Sequence, residues 1–327
     1  MKTKILRATE PEDCAAAIAA AVEYLRRGES VALPTETVYG LAADALSVDA
    51  VLQIFEAKER PRFDPLIVHL PGADWLDRFA AVPASAEKLV EALVRKFWPG
   101  PLTFVLPRRS LVPDIVTAGL ETVAVRVSAH SLFGRIIRAF EGPLAAPSAN
   151  RFGRISPTSA EDVISELEGR IPLVVDGGRT KHGLESTIVT VRNERIELLR
   201  HGPITMEQLS EFAEVWVSPG GSRPEAPGQL PSHYAPKTPL VVTDDVRSFA
   251  APPGRRVGCL SWHTVDGVQF SEIRTLSPAG DFAEAAANLF RYLRDLDEAG
   301  LDLIVAEELP EAGLGIAIMD RLRRAAR

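Results

Sequence analysis

Pro34-Thr35-Glu36-Thr37-Val38-Tyr39-Gly40 follows a short apolar run at 30–33 with two hydroxyls and a turn, and the rest of the chain is read from it. Apolar character resumes at 41–45, and 48–58 carries apolar side chains at 48, 51, 52, 54 and 55, the period of a helix. In Lys58-Glu59-Arg60-Pro61 the proline ends that helix, since it disfavours a helical residue before it. Pro65-Leu66-Ile67-Val68-His69 is then an apolar strand. The pattern recurs further along. Arg126 lies inside Val123-Ala124-Val125-Arg126-Val127, Ala146-Pro147-Ser148-Ala149-Asn150 ends one apolar run, and Glu185-Ser186-Thr187 begins another. Polar groups at the ends of β-rich runs imply one anion-binding cleft on a sheet, suited to activating a small acid with a nucleotide.

Around this centre the spacing predicts further elements. Thr9 and Glu12 read as a capping box with Pro11 between them, starting a helix that Gly28 stops. Helices are expected over 84–97 and 132–140, and after Thr158, read as an N-cap boxed with Glu161. Strands are expected over 103–106, 123–127, 172–175 and 186–191, the last two around a loop at Asp176-Gly177-Gly178. Helices and strands alternate without a clean βαβ repeat, so the expected fold is α/β, a mixed twisted sheet with helices packed on it. At 217–239 prolines and glycines crowd together and no hydrophobic period survives, which reads as an extended linker. A connection of roughly 20 residues is longer than usual, and Ser232-His233-Tyr234-Ala235-Pro236 is rich in polar and aromatic groups for a passive tether. Residues 240–327 read as a smaller α/β unit, with strands at 257–261 and 303–306, a helix near 281–299, and Arg321, Arg323 and Arg324 suited to a final helix C-terminus.

A chain of 327 residues suggests two domains. Its 37 basic and 44 acidic residues give a net charge of −7, so it is a poor general binder of nucleic acid and any polyanion contact must be local. Cys14 and Cys259 are far apart and fit a reducing compartment. Lys2 and Lys4 look like the start of a secretory signal, but Glu10, Glu12 and Asp13 stand where its apolar stretch belongs. No apolar run reaches the roughly 18 residues of a membrane helix. A cytoplasmic protein, with no membrane partner, is expected.

The candidate side chains each admit two readings. Lys58 and Arg60 are either solvated cations favoured at a helix end or a phosphate clamp, a point charge beside a planar fork. His69 is a core histidine or a ligand contact. Ser148 and Asn150 are turn formers or site groups, and Ser186 is a strand start or a site group. Thr35 and Thr37 offer two hydroxyls. Arg126 is the strongest candidate, because a cation in an apolar strand needs an anion. That anion is either a ligand carboxylate held by two parallel hydrogen bonds or an internal Asp or Glu. There is no close His/Cys pairing of a zinc site, no Walker loop, no GxGxxG and no GxSxG. Many donors and few bases suit phosphoryl or nucleotidyl transfer by positioning and charge stabilisation.

Six segments, in order over roughly 30–202, resemble the YrdC/TsaC family. They are the stretch from Leu33 to Leu41, Lys58-Glu59-Arg60-Pro61 with Pro65 to His69, Trp98-Pro99-Gly100-Pro101-Leu102-Thr103-Phe104, the Arg126 strand, Pro147-Ser148-Ala149-Asn150, and Gly183-Leu184-Glu185-Ser186-Thr187-Ile188-Val189. The linker and trailing domain resemble the long, two-domain form. The resemblance implies a YrdC-like catalytic domain over 1–216, a lid at 217–239 and a Rossmann-like α/β domain over 240–327. It implies a nucleotidyltransferase that turns L-threonine, bicarbonate and ATP, with magnesium, into threonylcarbamoyl-AMP and pyrophosphate. The product would pass to the transferase machinery that modifies the adenosine next to the tRNA anticodon. Lys58, Arg60, Ser148 and Asn150 would form the catalytic core. Thr35, Thr37, His69, Arg126 and Ser186 would hold threonine or its carbamate. Arg60, Asp64, Thr122, Asn150, Thr158, Arg200 and Tyr234 would contact ATP, with no protein ligand to a metal. Asp64 departs from the family's usual asparagine, Ser128 and Ser131 from prolines, and Leu230-Pro231-Ser232 from aromatic and basic residues. An RNA-binding module and a carbamoyl-adenylate-forming enzyme are the competing readings. Direct contact with tRNA is left open.

Overall fold

Residues 48–58 form the helix that their spacing predicts, Val48–Lys58, with Ser47 capping it and Val51, Ile54 and Phe55 buried. Glu59 ends it in the left-handed region at φ 53°, which turns the chain so that Arg60 N donates to Phe55 O at 2.9 Å. The structure, a computed structural model, describes residues 2–218, 228, 233–266 and 269–327. Most of the segment read as a lid, 219–227 and 229–232, lies outside the described residues.

Two helix starts differ from expectation. The helix Pro11–Arg26 has Glu10 as its N-cap with no side-chain cap bond, so Thr9 and Glu12 do not form a box; proline at the first position already has a helical φ and lacks an orphan N–H. The helix Ala160–Leu167 is boxed one residue later than expected, by Ser159 with Asp162. The Asp162 carboxylate draws Thr158 in as well, accepting from its N at 2.8 Å and its Oγ1 at 3.0 Å.

The chain forms two compact units, one of Met1–Phe152, Pro157–Lys181 and Glu185–Leu230, the other of Gly153–Ser156, His182–Leu184 and Pro231–Arg327. The first unit holds an eleven-stranded mixed sheet. Across it, in order, run Lys4–Arg7, Leu173–Asp176, Val31–Leu33, Gly40–Asp44, Leu144–Ala145, Ile67–His69, Thr122–Arg126, Leu102–Pro107, Thr187–Arg192, Arg195–Arg200 and Val215–Val217. Side chains alternate between faces along a strand. Val68, Val125, Phe104, Val189 and Leu198 therefore share one face and the main core, while Ile67, Val105, Ala124, Ile188 and Leu199 form a separate small apolar patch on the other.

The second unit has four parallel strands in the order Leu240–Thr243, Leu303–Glu307, Val257–Ser261, Glu272–Thr275. Its helix Phe282–Glu298 is capped by Asp281, whose side chain accepts from Ala283 N and Glu284 N. Arg323 and Arg324 lie in the last turn of the final helix, Leu314–Ala325, as expected, whereas Arg321 sits one turn earlier and faces inward. It is fully buried, lies 5.4 Å from the centre of the Tyr234 ring, and pairs with Asp320 at 2.9 Å. No helix among the described residues is long and apolar enough to cross a membrane.

Candidate active site

Register builds the floor of the site. His69 lies opposite Arg126, Thr103 continues the neighbouring strand beside it and pairs with Ile188, and Ile188 lies opposite Arg200 across a β-bulge. These five residues form one row across five adjacent strands, on the face that carries the small apolar patch. The row spans about 19 Å at the usual strand spacing.

The turn after Val31–Leu33 folds hydroxyls onto one end of this row. Thr35 Oγ1 donates to Val38 O at 2.6 Å and accepts from Thr37 N at 3.1 Å, and it lies 2.8 Å from Thr37 Oγ1. Arg126 donates from Nη1 to Thr37 Oγ1 and from Nε to Gly100 O, both at 3.1 Å. Its anion is internal: Glu36 Oε1 sits 2.6 Å from Nη2, and Glu36 Oε2 accepts from Ser128 Oγ at 2.5 Å. Burial alone would push the Glu36 carboxyl up, but the Arg126 charge, with the Ser128 and Ala129 donors, outweighs it and holds the group at about 2. Burial and the neighbouring Arg126 charge lower His69 to about 3, so its imidazole is neutral near pH 7. Its ring packs 4.8 Å from Phe133.

A second group gathers around Lys58. Its Nζ donates to Ser148 O and Asn150 O, both at 2.5 Å, so its charge is tied to the backbone of the Ser148-Ala149-Asn150 turn. Burial first, then the Arg60 charge, holds its pKa well below the ordinary lysine value. Arg60 donates from Nη2 to Pro65 O at 2.8 Å and pairs with Asp64 Oδ2 at 2.8 Å. Burial raises the Asp64 pKa, opposed by the charges of Arg60, Lys58 and Arg200, which places Arg200 within electrostatic reach of the pair. Arg200 also donates from Nη2 to Ser186 Oγ and from Nε to Ser186 O, both at 3.1 Å, and Thr103 Oγ1 lies 2.8 Å from Ser186 Oγ. The backbone joins this group to the hydroxyl turn, through Ala149 N donating to Tyr39 O and Leu41 N to Pro147 O, both at 2.8 Å.

Of the remaining expected residues, Thr122 starts the strand that Arg126 ends, half-buried and on the same face. It stands about 13 Å from Arg126 along the strand. Thr158 is buried against Asp162. Tyr234 belongs to the second unit, with φ 68° and its ring 5.5 Å from Phe290.

The sequence profile of the Sua5/YciO/YrdC family, described as telomere recombination, matches residues 23–202, over half of the chain. The chain belongs to the Sua5/YciO/YrdC family. A second profile, that of the threonylcarbamoyl-AMP synthase C-terminal domain, matches residues 204–327. Threonylcarbamoyl-AMP synthase of Pyrococcus abyssi is 40% identical over 323 residues, spanning 93% of this chain and 92% of its own length. That of Bacillus subtilis is 40% identical, spanning 94% of this chain and 92% of its own length. The crystal structure of P. abyssi Sua5 complexed with L-threonine aligns with a TM-score of 0.90 at 37% identity, covering 99% of this chain and 98% of that one. The Escherichia coli YciO structure, at 20% identity and a TM-score of 0.51, shares the fold.

In this Sua5/YciO/YrdC chain the site holds residues that the sequence reading did not single out. Glu36 stands inside the quoted turn, between the two threonines that drew attention, and an internal Asp or Glu was one of the two anions expected for Arg126. Nothing in the spacing chose Glu36, 90 residues away. Thr103 and Tyr39 were also passed over. Tyr39 Oη donates to Gly178 O at 2.7 Å and accepts from Gly177 N at 3.2 Å, pinning the glycine loop to the hydroxyl turn.

Proposed function

We propose that this chain is a threonylcarbamoyl-AMP synthase that joins L-threonine, bicarbonate and ATP and supplies the product for threonylcarbamoyl modification of tRNA. The observation that carries the reading is the row itself. Two buried guanidiniums, Arg126 and Arg200, stand on one sheet face about 14 Å apart at the backbone, with hydroxyls of Thr37, Thr103 and Ser186 between and beside them. That spacing suits an amino-acid carboxylate at one end and a polyphosphate at the other.

In the first step the neutral threonine amine attacks the carbon of bicarbonate. The N–C bond forms, and the hydroxyl leaves as water with the amine proton. A carbamate oxygen then attacks the α-phosphorus, and the bond to pyrophosphate breaks. Arg126 and Thr37 orient the amino acid, while Arg60 and Arg200 face the phosphates. Lys58 holds the Ser148–Asn150 turn in place rather than offering its whole charge to a ligand. Fixed donors of this kind act on charge as it develops, and losing one costs on the order of 10²–10³ in rate. Among the described residues no three His, Cys, Asp or Glu side chains converge on a metal position. Magnesium fits as a companion of the triphosphate, held by phosphate oxygens and water, where it would offset phosphate charge.

The test is a reaction of the purified chain with ATP, L-threonine and labelled bicarbonate, followed by mass spectrometry and pyrophosphate release. The expected result is an adenylate carrying both threonine and the label. ATP consumption that ignores threonine, or no turnover at any magnesium concentration, would overturn the reading.

A further inference from the structure

Where the strands Ile67–His69 and Thr122–Arg126 end, the chain encloses a small cavity of about 250 Å³. Leu70, Trp98, Val127, Phe133 and Ile137 give it apolar walls, and Gly134 and Arg138 of the helix Ser131–Phe140 stand at one side. Among the described residues no acidic side chain lines it. A cavity of about 150 Å³ holds benzene, so this one has room for roughly ten non-hydrogen atoms.

Arg138 is exposed, yet its guanidinium lies back along the helix over Gly134, where a Cβ would stand 3.1 Å from Nη1 and 3.6 Å from Cζ. Glycine weakens a helix interior, and here its missing side chain leaves the guanidinium room beside the cavity. Among the described residues Arg138 forms no ion pair. Asp74, one residue beyond the Pro71-Gly72-Ala73 wall, folds its carboxylate over Gly72 instead. An apolar hollow with one unpaired cation beside it fits a molecule with a short aliphatic body and a single carboxylate. A zwitterion would bring an ammonium group to walls that carry no anion.

The walls are also the residues that hold Arg126. Leu70 N donates to Arg126 O and Gly100 N to Val127 O, both at 2.8 Å. Gly100 O accepts from Arg126 Nε, and Ser128, which lines the cavity too, donates to Glu36, the partner of Arg126. We propose that the cavity is an effector site for a short aliphatic carboxylate, with Arg138 taking the carboxylate and the filled walls steadying Arg126. Wall atoms facing a void lack contacts that an occupant provides. The occupant and an amino acid at Arg126 therefore strengthen each other, and the coupling is reciprocal. The effector role rests on the synthase reading; the site itself does not.

Hexanoate is the probe, and the indole N–H of Trp98 is the reporter, read by heteronuclear NMR of the full chain and assigned with Trp98→Phe. Hexanoate is expected to shift that signal with a Kd on the order of 1 mM and to leave Trp216, on an edge strand, and Trp262, in the second unit, unmoved. Hexanamide with wild type, and hexanoate with Arg138→Gln, are each expected to bind about three- to fivefold more weakly, the worth of an exposed charge. L-threonine should bind wild type about twofold more tightly, or better, when hexanoate is saturating, and Arg138→Gln should bind threonine alone as wild type does. No shift at Trp98, equal binding of hexanoate and hexanamide, or equal binding by wild type and Arg138→Gln overturns the proposal. So does mutual exclusion of hexanoate and threonine, which would put hexanoate at Arg126, and so does an unchanged threonine affinity. Failure of wild type to bind threonine at all would overturn the synthase reading and the effector role with it, while the hexanoate and hexanamide titrations still decide the carboxylate site.

Discussion

Asp64 puts a carboxylate among three cations, its Oδ2 2.8 Å from Arg60 Nη2 and the charges of Lys58 and Arg200 acting on it. A triphosphate drawn to Arg60 and Arg200 meets that negative charge. Asp64→Asn keeps the shape and removes the charge, so the KM for ATP should fall about three- to tenfold, a change of about 0.7–1.4 kcal/mol. The KM for threonine should not move. Steady-state pyrophosphate release measures both, and a higher KM for ATP would mean that the carboxylate serves the nucleotide. His69 and Glu36 set the acid limit of the fold. The folded His69 pKa of about 3 lies below the ordinary 6.5, so its contribution is complete above 6.5 and is lost as the pH falls from 6.5 towards 3. Glu36, at about 2 against 4.5, loses its contribution between those values. The melting temperature should therefore decline below pH 6.5 and more steeply below 4.5, where the two windows overlap, and His69→Gln should flatten the part above 4.5.

Elements were legible where several local signals agreed. Val48–Lys58 has its period, its Ser47 cap and its proline stop in one stretch, and the expected bounds match. The strand Arg195–Arg200 offered no such agreement, because its charged residues mask the alternation; Glu197 is buried within it and pairs with Arg192 at 3.3 Å. Lys2 and Lys4 resembled a secretory start, yet Lys4–Arg7 is an edge strand, where charge discourages further pairing. Gly202 shows a constraint that no pattern reveals. A Cβ there would meet Glu185 O and the carbonyl carbon of Ser186, both at 2.6 Å, and Thr187 N closer still. Backbone cannot yield as a side chain does, so Gly202→Ala should cost about 3 kcal/mol or more and displace Ser186, lowering activity with stability. Gly28→Ala is the control, with φ 76° but open space around it, and should cost only about 1 kcal/mol. Denaturant unfolding of both variants gives the comparison; equal losses would mean that the backbone around Gly202 relaxes to admit the Cβ.

At the scale of the whole chain, the sequence could show which residue types were present but not their register. The row of His69, Arg126, Thr103, Ile188 and Arg200 is drawn from five strands scattered over more than 100 positions, and only pairing aligns them. Domain limits pose the same difficulty, because the two units interleave. In the second unit, Arg294 Nη2 donates to Ile155 O at 2.9 Å, Asp297 pairs with Arg154 at 3.8 Å, and Gly183, at φ 67°, would bring a Cβ to 2.6 Å from Ala287 Cα. Gly153–Ser156 begins three residues after Asn150, and His182–Leu184 directly precedes Glu185-Ser186. A fragment of residues 1–216 would keep both segments and lose the Arg294, Asp297 and Phe282–Glu298 contacts to them. Freed of Arg294, Asp297 and the helix Phe282–Glu298, they would loosen the turn at Ser148–Asn150 and the start of the strand at Thr187. The fragment should therefore melt below the full chain and lose turnover more than threonine affinity, since the Arg126, Thr37 and Glu36 contacts lie wholly within the first unit. Melting curves, calorimetry and pyrophosphate release on the two proteins decide it. Equal melting temperature and equal kcat/KM would mean that the excursions need no support.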